Sequence, residues 1–491
     1  ISPVKREPDS HTLQTVWLAT AKFAALAISF LLPLVVVRKL NQAEFGLYKQ
    51  SFQILSTVLS LLSLQVGASV YYFIPRAPKK RVQVAFNVLL FYLLAGSAVA
   101  ISFAVYPQWV TMIFQSNELV TYVPLIGLSV LMWLVASPLE VFMIANGDVR
   151  IASAVIIFAH LSRAGLFLSA ILAFGNLRTI LYATAAHGIL QWVVMGSYLH
   201  YRYGSCWGPV DWSLLKAQLA NALPFGAGAI AYSLQLELHN FFVSHYFSPA
   251  DFAIYAVGCF QLPLISILLE STGATLTPEV ARRELAGDYE GIISVWLNAI
   301  RRIAFFFLPA CLFLFTLRHE FIATLFTPKY ATAAPLFAIN LVQVLLCVIL
   351  IGPLLRAFAE FKYFFLKLNL VLLPVTWVAL YLSVQAAGLI GAITVTVCIR
   401  LIERVITAYF IGRRLQMSLR DLRHLSTVPM MIVSASLAGL AAFITKLSLV
   451  HLPPAMTLLI CSVVFTFLYL PLAFMTGAVT DAEKTKLRQM L

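Results

Sequence analysis

Ionisable side chains inside long apolar runs are the residues best placed to do chemistry in this sequence. Each costs about 2.5–3.5 kcal/mol in hydrocarbon and is retained where it faces a cavity or a partner. Lys22, His160, Arg163, His187, Glu237, His239, Arg400 and Glu403 lie within such runs, and Glu140 and Glu270 lie near the ends of two others. Lys22 and Arg163 each sit about ten residues or more into their runs, close to mid-depth at about 1.5 Å per residue. A cation at that depth can hold a phosphate or an acidic group, which cannot enter hydrocarbon unless it is neutralised. Arginine supplies the planar fork for phosphate oxygens, and His160 precedes Arg163 by three residues, on the same helical face. The structural alternatives are a Lys22 stem reaching toward water and an Arg163–Glu140 ion pair.

The acidic residues suggest other roles. Glu237 is a carboxylate whose burial favours its protonated form, which suits a group that takes up a proton or sodium ion in one conformation and releases it in another. A salt bridge with Lys22 is the competing assignment. His239 is two residues further on and points elsewhere on a helix, so one of the two is expected to face a cavity and the other to pack. Arg400 is a further candidate for substrate contact, although Glu403 at i+3 is its simplest partner. Glu140 and Glu270 are placed for gating salt bridges, with Arg150 and Arg282 as the nearby cations.

The elements that carry these residues follow from composition. Of 491 residues, 61% are hydrophobic and 11% charged, with a mean hydropathy of +0.90. A soluble chain has about 45–50% apolar and about 25% charged residues, so this is an all-α polytopic membrane protein. A span with its connection uses roughly 35 residues, which gives about fourteen spans and no room for a large soluble catalytic domain. Apolar runs place them near 13–37, 47–74, 84–105, 120–144, 151–174, 180–200, 217–244, 252–274, 303–322, 332–353, 364–385, 388–411, 428–446 and 455–477. No charged–apolar–small cleavage pattern precedes the first span, so no removable signal peptide is expected.

The net charge of +14 is explained by topology. With the N-terminus in the cytoplasm, only Arg38, Lys39, Lys49, Arg178, Arg318, Lys329 and Lys446 fall outside, and Lys22, Arg163 and Arg400 fall within the membrane. All other Lys and Arg are cytoplasmic. This bias places both termini in the cytoplasm and directs the basic surface to anionic headgroups; no nucleic acid is implied.

A repeat organises the chain. Asn41-Gln42-Ala43-Glu44-Phe45-Gly46-Leu47-Tyr48 recurs as Ser248-Pro249-Ala250-Asp251-Phe252-Ala253-Ile254-Tyr255, and Phe52-Gln53 recurs as Phe260-Gln261. Both copies fall between the first and second helices of a six-helix block. An even number of spans separates them, so the halves are parallel repeats, related by an axis along the membrane normal, with binding expected near the midplane. The expected parts are a bundle over 1–201, a cytoplasmic linker over 202–212, a second bundle over 213–411 and a two-helix extension over 412–491. Phe45, Tyr48, Phe252 and Tyr255 are expected as aromatic anchors at headgroup depth, or as sugar-stacking groups. The stretch Pro224-Phe225-Gly226-Ala227-Gly228 is the expected hinge.

The first-helix exit Val37-Arg38-Lys39-Leu40-Asn41 through Gly46-Leu47-Tyr48, its echo ending at Tyr255, Pro138-Leu139-Glu140 with Asn146-Gly147-Asp148-Val149-Arg150, and Thr277-Pro278-Glu279 carry a family likeness. The chain resembles the multidrug/oligosaccharidyl-lipid/polysaccharide (MOP) flippase superfamily and, within it, the Wzx-type O-antigen and exopolysaccharide flippases. The resemblance implies fourteen helices and a cationic cavity that moves an undecaprenyl-diphosphate-linked oligosaccharide between leaflets of the inner membrane. It also implies membrane lipids, polymerase and chain-length proteins as partners, no cofactor, and an acidic residue at the position of Glu237. A multidrug extruder of the same superfamily is the first alternative, although such proteins typically have twelve helices and an acidic cavity. A membrane polymerase or ligase is the second, but those carry a sizeable outer loop that this sequence lacks.

The sequence has no phosphate-binding Gly-Lys-Ser/Thr loop, no zinc-ligand spacing and no nucleophile elbow. Its six cysteines are scattered singly and read as packing residues.

Overall fold

The computed structural model describes residues 8–114, 116–205 and 208–479. Cys206, part of the linker and the two terminal tails lie outside the described residues. The described residues are nearly all helical, with no strand among them, as a bilayer requires of a chain that must satisfy its backbone groups internally. The protein is a multi-pass membrane protein. It divides into two compact units, Ile1–Ala253 and Ile254–Leu491.

The first unit contains α1 (Pro8–Lys39), α2 (Gln42–Ser63), α3 (Val70–Arg76), α4 (Arg81–Val105), α5 (Gln108–Phe114), α6 (Val123–Ala136), α7 (Leu139–Ala145), α8 (Val149–Ala173), α9 (Leu177–Tyr203) and α10 (Trp212–Tyr246). Small residues let α1 lie close along α8, where Ala21 and Ala25 meet Ile156, the usual device for helix association in lipid. The main core gathers Val88 and Tyr92 of α4, Leu134 of α6, Phe142 of α7 and Leu199 of α9. The helix α10 packs on α2, α4 and α5 and so belongs to this unit.

The second unit takes in most of α11 (Pro249–Gly258), then α12 (Pro263–Leu285), α13 (Tyr289–Thr316), α14 (Arg318–Phe326), α15 (Ala334–Cys347), α16 (Ile351–Ala357), α17 (Ala359–Arg414), α18 (Val428–Ser448) and α19 (Pro454–Met475). Gly388, at φ 57° and ψ −135°, reverses α17 into two antiparallel arms. Phe364 stacks on Phe410 across them at 4.0 Å, and Arg414 Nε donates to Glu360 Oε1 at 2.6 Å near their ends. The reversal falls at the expected junction between the spans at 364–385 and 388–411. Ala435, Ala438 and Ala442 of α18 form the small-residue seam of the last core, with Cys461 and Phe465 of α19.

Nine helices among the described residues are long and apolar enough to cross a membrane, or eleven if α2 with α3 and α11 with α12 each form one bent span. The two arms of α17 and the long but more polar α9 and α10 bring the count into line with fourteen.

The repeat has a physical origin in helix capping. Asn41 accepts from Glu44 N at 2.9 Å, and Glu44 Oε2 accepts from Asn41 N at 3.2 Å, closing a capping box. In the second copy Ser248 Oγ accepts from Asp251 N at 3.2 Å and donates to Asp251 Oδ2 at 2.6 Å. Each start leads into a bent pair, at 46° and 48°. The break comes after 22 residues of α2 but after only 10 residues of α11. The aromatic residues of the motif depart from expectation. Phe45, Tyr48, Phe252 and Tyr255 are all buried, because the capped first turn of each helix is packed inside the protein rather than at a headgroup surface. The Pro224–Gly228 stretch likewise runs as continuous helix within α10.

The remaining family-like segments form turn clamps. Asp148 Oδ2 accepts from Tyr198 OH at 2.7 Å and pairs with Arg202 at 3.3 Å, while Asn146 Nδ2 donates to Tyr203 OH at 2.8 Å. This fastens the α7–α8 turn, with Gly147 at φ 81°, to the end of α9. Glu279 pairs with both Arg282 and Arg283, and Arg283 also reaches Asp288 at 2.6 Å, fixing the turn into α13.

Candidate functional site

The polar interior of the first unit is built around α8. His160 and Arg163 sit one turn apart on this 25-residue apolar helix. His160 Nδ1 lies 3.0 Å from Ser29 Oγ of α1. Arg163 goes to aromatic rings rather than to Glu140: its guanidinium lies 5.0 Å from the Trp133 ring and 5.3 Å from the Phe167 ring. Its buried Nε has no hydrogen-bond partner among the described residues. A guanidinium held by ring faces keeps its in-plane N–H fork for another acceptor, which is the arrangement an oxyanion needs.

Trp133 is fixed from α9, where its Nε1 donates to Thr184 O at 2.9 Å. His187 lies 5.5 Å from the same ring, and its Nε2 meets Ala159 O of α8 at 2.9 Å. Phe52 of α2 meets Phe167 at 5.9 Å, and Tyr48 meets Phe52 at 4.8 Å, so an aromatic row runs along α2 toward the Arg163 side. Trp133, Phe167 and Ser29 are participants that sequence reasoning missed. With aromatic residues at 13% of the chain, nothing local distinguishes Trp133 from the others.

Lys22 pairs with Glu140 across α1 and α7 at 3.0 Å, with the two side chains 55% and 38% exposed. The expected Lys22–Glu237 and Arg163–Glu140 pairings are therefore both replaced, and Glu140 is held by Lys22 rather than Arg150. Glu237 lines a cavity of about 190 Å³ between α2 and α10 with Ser56, Thr57, Ser60 and Ser233, and it accepts from Asn240 Nδ2 at 2.8 Å. Ser60 donates to Ser233 across the same seam at 3.3 Å. His239 is half-buried and is not among the residues lining that cavity, as its angular separation from Glu237 requires.

In the second unit Arg400 Nη1 donates to Glu403 Oε2 at 2.7 Å, and Glu403 is only 1% exposed. Pairing within the helix is thus the arrangement adopted. Arg404 Nη1 donates to Ile349 O at 3.2 Å beside this pair. Glu270 is exposed, and Arg282 is engaged by Glu279 instead. No group of three or more His, Cys, Asp or Glu suited to a metal ion occurs among the described residues.

Outside the spans, Asp211 organises the approach to α10. It accepts from Lys80 Nζ at 2.7 Å, from Ser213 Oγ at 2.6 Å and, as N-cap, from Leu214 N at 3.0 Å. The Lys80 ammonium foremost, then these two donors, hold its carboxyl below the usual carboxylate range.

Comparison with known proteins places this arrangement. A family model described as "Polysaccharide biosynthesis protein" matches residues 35–335. Among solved structures, the lipid II flippase MurJ in an inward closed conformation aligns with a TM-score of 0.66 at 12% identity, over 95% of this chain and 99% of that one. An inward-facing MATE-family multidrug transporter of the MOP superfamily aligns with a TM-score of 0.62 at 16% identity, over 82% and 94%. A MOP-superfamily transporter from Pyrococcus furiosus, described as having a binding pocket of reverse polarity, aligns at 0.55 with 14% identity, over 82% and 95%. No curated protein matches the chain. At these identities the structural likeness is one of fold, whereas the family model spans more than half of the sequence. The chain therefore belongs to the polysaccharide biosynthesis protein family, built on the fold of the MOP-superfamily transporters and flippases.

Proposed function

We propose that the protein is a lipid-linked oligosaccharide flippase, moving an undecaprenyl-diphosphate-linked repeat unit across the inner membrane for polysaccharide, O-antigen or exopolysaccharide synthesis. The observation that carries this reading is Arg163, an aromatic-backed guanidinium inside the first unit whose buried Nε has no hydrogen-bond partner among the described residues. Such a group attracts an anion and repels the cationic compounds a multidrug extruder handles. Arg163 is assigned the principal contact to the diphosphate, with Lys22, His160 and Arg400 as further substrate contacts. Glu237, with its cavity of hydroxyl-bearing neighbours, is assigned ion coupling, with His239 beside it, and Glu140 and Glu270 are assigned to gating.

The site would be exposed alternately to the two membrane faces, with both termini cytoplasmic and the lipid tail remaining in the bilayer. Family membership points to a transporter rather than an enzyme. The test is surface polysaccharide in a host whose own gene is deleted. The proposal expects the wild-type chain to restore it and a Lys22→Ala, Arg163→Ala double variant, inserted at equal level, to fail. Rescue of an efflux-deficient host against cationic dyes, without polysaccharide restoration, would support the extruder instead.

A further inference from the structure

A second cavity in the first unit, of about 240 Å³, lies one helical turn from Arg163 and contains no charged side chain. Leu59 and Ser63 of α2, Trp133 and Ser137 of α6, Ala159 of α8 and Gln191 of α9 are among its walls, with His187 beside them. At this size it is a single-ring pocket, below the roughly 300–1,000 Å³ of sites for drug-sized ligands. Its walls are mostly apolar, with one indole and a few polar groups, the general composition of a small-molecule site.

The hydrogen-bonding capacity of those groups defines the ligand. Ser63 Oγ donates to Ser60 O at 3.1 Å, and Ser137 Oγ donates to Leu134 O at 2.7 Å beside the Tyr92 hydroxyl, so what the two hydroxyls have left to offer is lone pairs. His187 uses Nε2 on Ala159 O, and its buried Nδ1 has no hydrogen-bond partner among the described residues; with the proton on Nε2, the Nδ1 of a neutral imidazole accepts. Gln191 is 8% exposed, and its polar contact among the described residues is a long one, 3.4 Å to His187 Nε2, which leaves one end of its carboxamide open to a ligand. What Ser63, Ser137 and His187 can still offer a ligand is therefore acceptor capacity, which suits a ligand that brings donors. The diphosphate diester of a lipid-linked sugar, fully ionised at neutral pH, has none, and an ammonium ion would be repelled by Arg163 one turn away. Neutral hydroxyl groups satisfy the set, and the indole of Trp133 is suited to the C–H face of the ring that carries them.

We propose that this cavity is a sugar-ring subsite that takes a neutral pyranose, while Arg163, which follows Ala159 by four residues on the same face of α8, takes the adjacent phosphate. Headgroup recognition is thereby divided: charge is read by Arg163, and the identity of one sugar is read by Gln191, His187, Ser63 and Ser137. This deepens the flippase reading and rests on it for the identity of the natural ligand.

The test is a titration of the purified full chain, in nanodiscs or a detergent without a sugar headgroup, with glucose, galactose, mannose, N-acetylglucosamine and rhamnose, read by tryptophan fluorescence. At least one sugar is expected to give a saturable change that is absent in Trp133→Phe and weakened at least tenfold in Gln191→Leu and Ser63→Leu, each verified to be monodisperse with an unaltered melting temperature. Inorganic pyrophosphate binding is expected to survive in Gln191→Leu. A flat titration across the panel, as for a cavity holding only water, or an unchanged response in Gln191→Leu, overturns the subsite. Sugar binding that behaves as expected while deletion of the gene leaves surface polysaccharide intact keeps the subsite and overturns the flippase reading.

Discussion

Arg163 of α8 lies 5.0 Å over the ring of Trp133 of α6, and that ring is held in turn by a hydrogen bond to Thr184 O of α9. Three helices therefore fix the position of one guanidinium without neutralising it. A desolvated cation–π contact is worth about 2 kcal/mol, enough to orient the group while its positive charge remains available to an anion. This separates Arg163 from Arg400, whose charge is met by Glu403, and from Lys22, whose charge is met by Glu140.

The planar fork, rather than charge alone, is predicted to matter at position 163. Arg163→Lys is expected to restore less than a tenth of wild-type surface polysaccharide at equal membrane level, because an ammonium neither stacks on Trp133 nor presents paired donors. Trp133→Phe is expected to retain partial function and Trp133→Leu much less. Quantitative complementation of a deletion strain checks the order.

The Lys22–Glu140 pair is half exposed, so its coupling is expected to be about 0–1 kcal/mol. A double-mutant cycle with Lys22→Gln and Glu140→Gln, read by thermal unfolding in nanodiscs, measures it. A coupling of several kcal/mol would show that the pair is far more desolvated than its exposure indicates.

Asp211 makes a prediction about acid. Its folded pKa is depressed, so its contribution to stability is complete above the unfolded value of about 3.9 and is lost as pH falls through the folded value. Asp211→Asn keeps an N-cap side chain but loses the charge that meets Lys80. It is expected to flatten the acid limb of the melting-temperature profile and to melt below the wild type at neutral pH, the two converging as the wild-type carboxyl takes up its proton. Asp211→Ala loses the cap as well, and is expected to melt lower still at neutral pH. Melting temperatures from pH 3 to 7 distinguish the two.

At Gly388 the backbone occupies φ 57°, ψ −135°, a region that side chains strongly disfavour. Gly388→Ala is expected to destabilise the second unit by about 1–3 kcal/mol, detected as a lowered melting temperature. Gly226 is the counterpart for close packing. A Cβ there would approach Leu64 O within 2.5 Å, so Gly226→Ala is expected to require a shift of α10 from the α2 break and to lower stability by about 1–3 kcal/mol.

Much of the fold was legible because the bilayer imposes a strong rule. The arms of α17 meet where the apolar runs part, and the repeat at Asn41 and Ser248 is explained by two side-chain N-caps, the first of them a full capping box. The local Arg400–Glu403 pair was likewise readable from i, i+3 spacing. The depth of Phe45 and Tyr255 was not, since an aromatic beside a charged helix start has the same local sequence whether it anchors in headgroups or packs inside. Arg163 could be singled out by the cost of a charge in lipid. Its partners could not, because Trp133 and Thr184 reach it only through the packing of α6 and α9 against α8.

The most direct measurement is the leaflet distribution of the lipid-linked oligosaccharide in cells expressing the Arg163→Ala variant, inserted and melting as the wild type does. Labelling with a membrane-impermeant lectin or periodate reports it. With Arg163 as the diphosphate contact, the precursor is expected to accumulate out of reach on the cytoplasmic leaflet, and surface polysaccharide to be lost. Wild-type labelling and normal surface polysaccharide in that variant would contradict it.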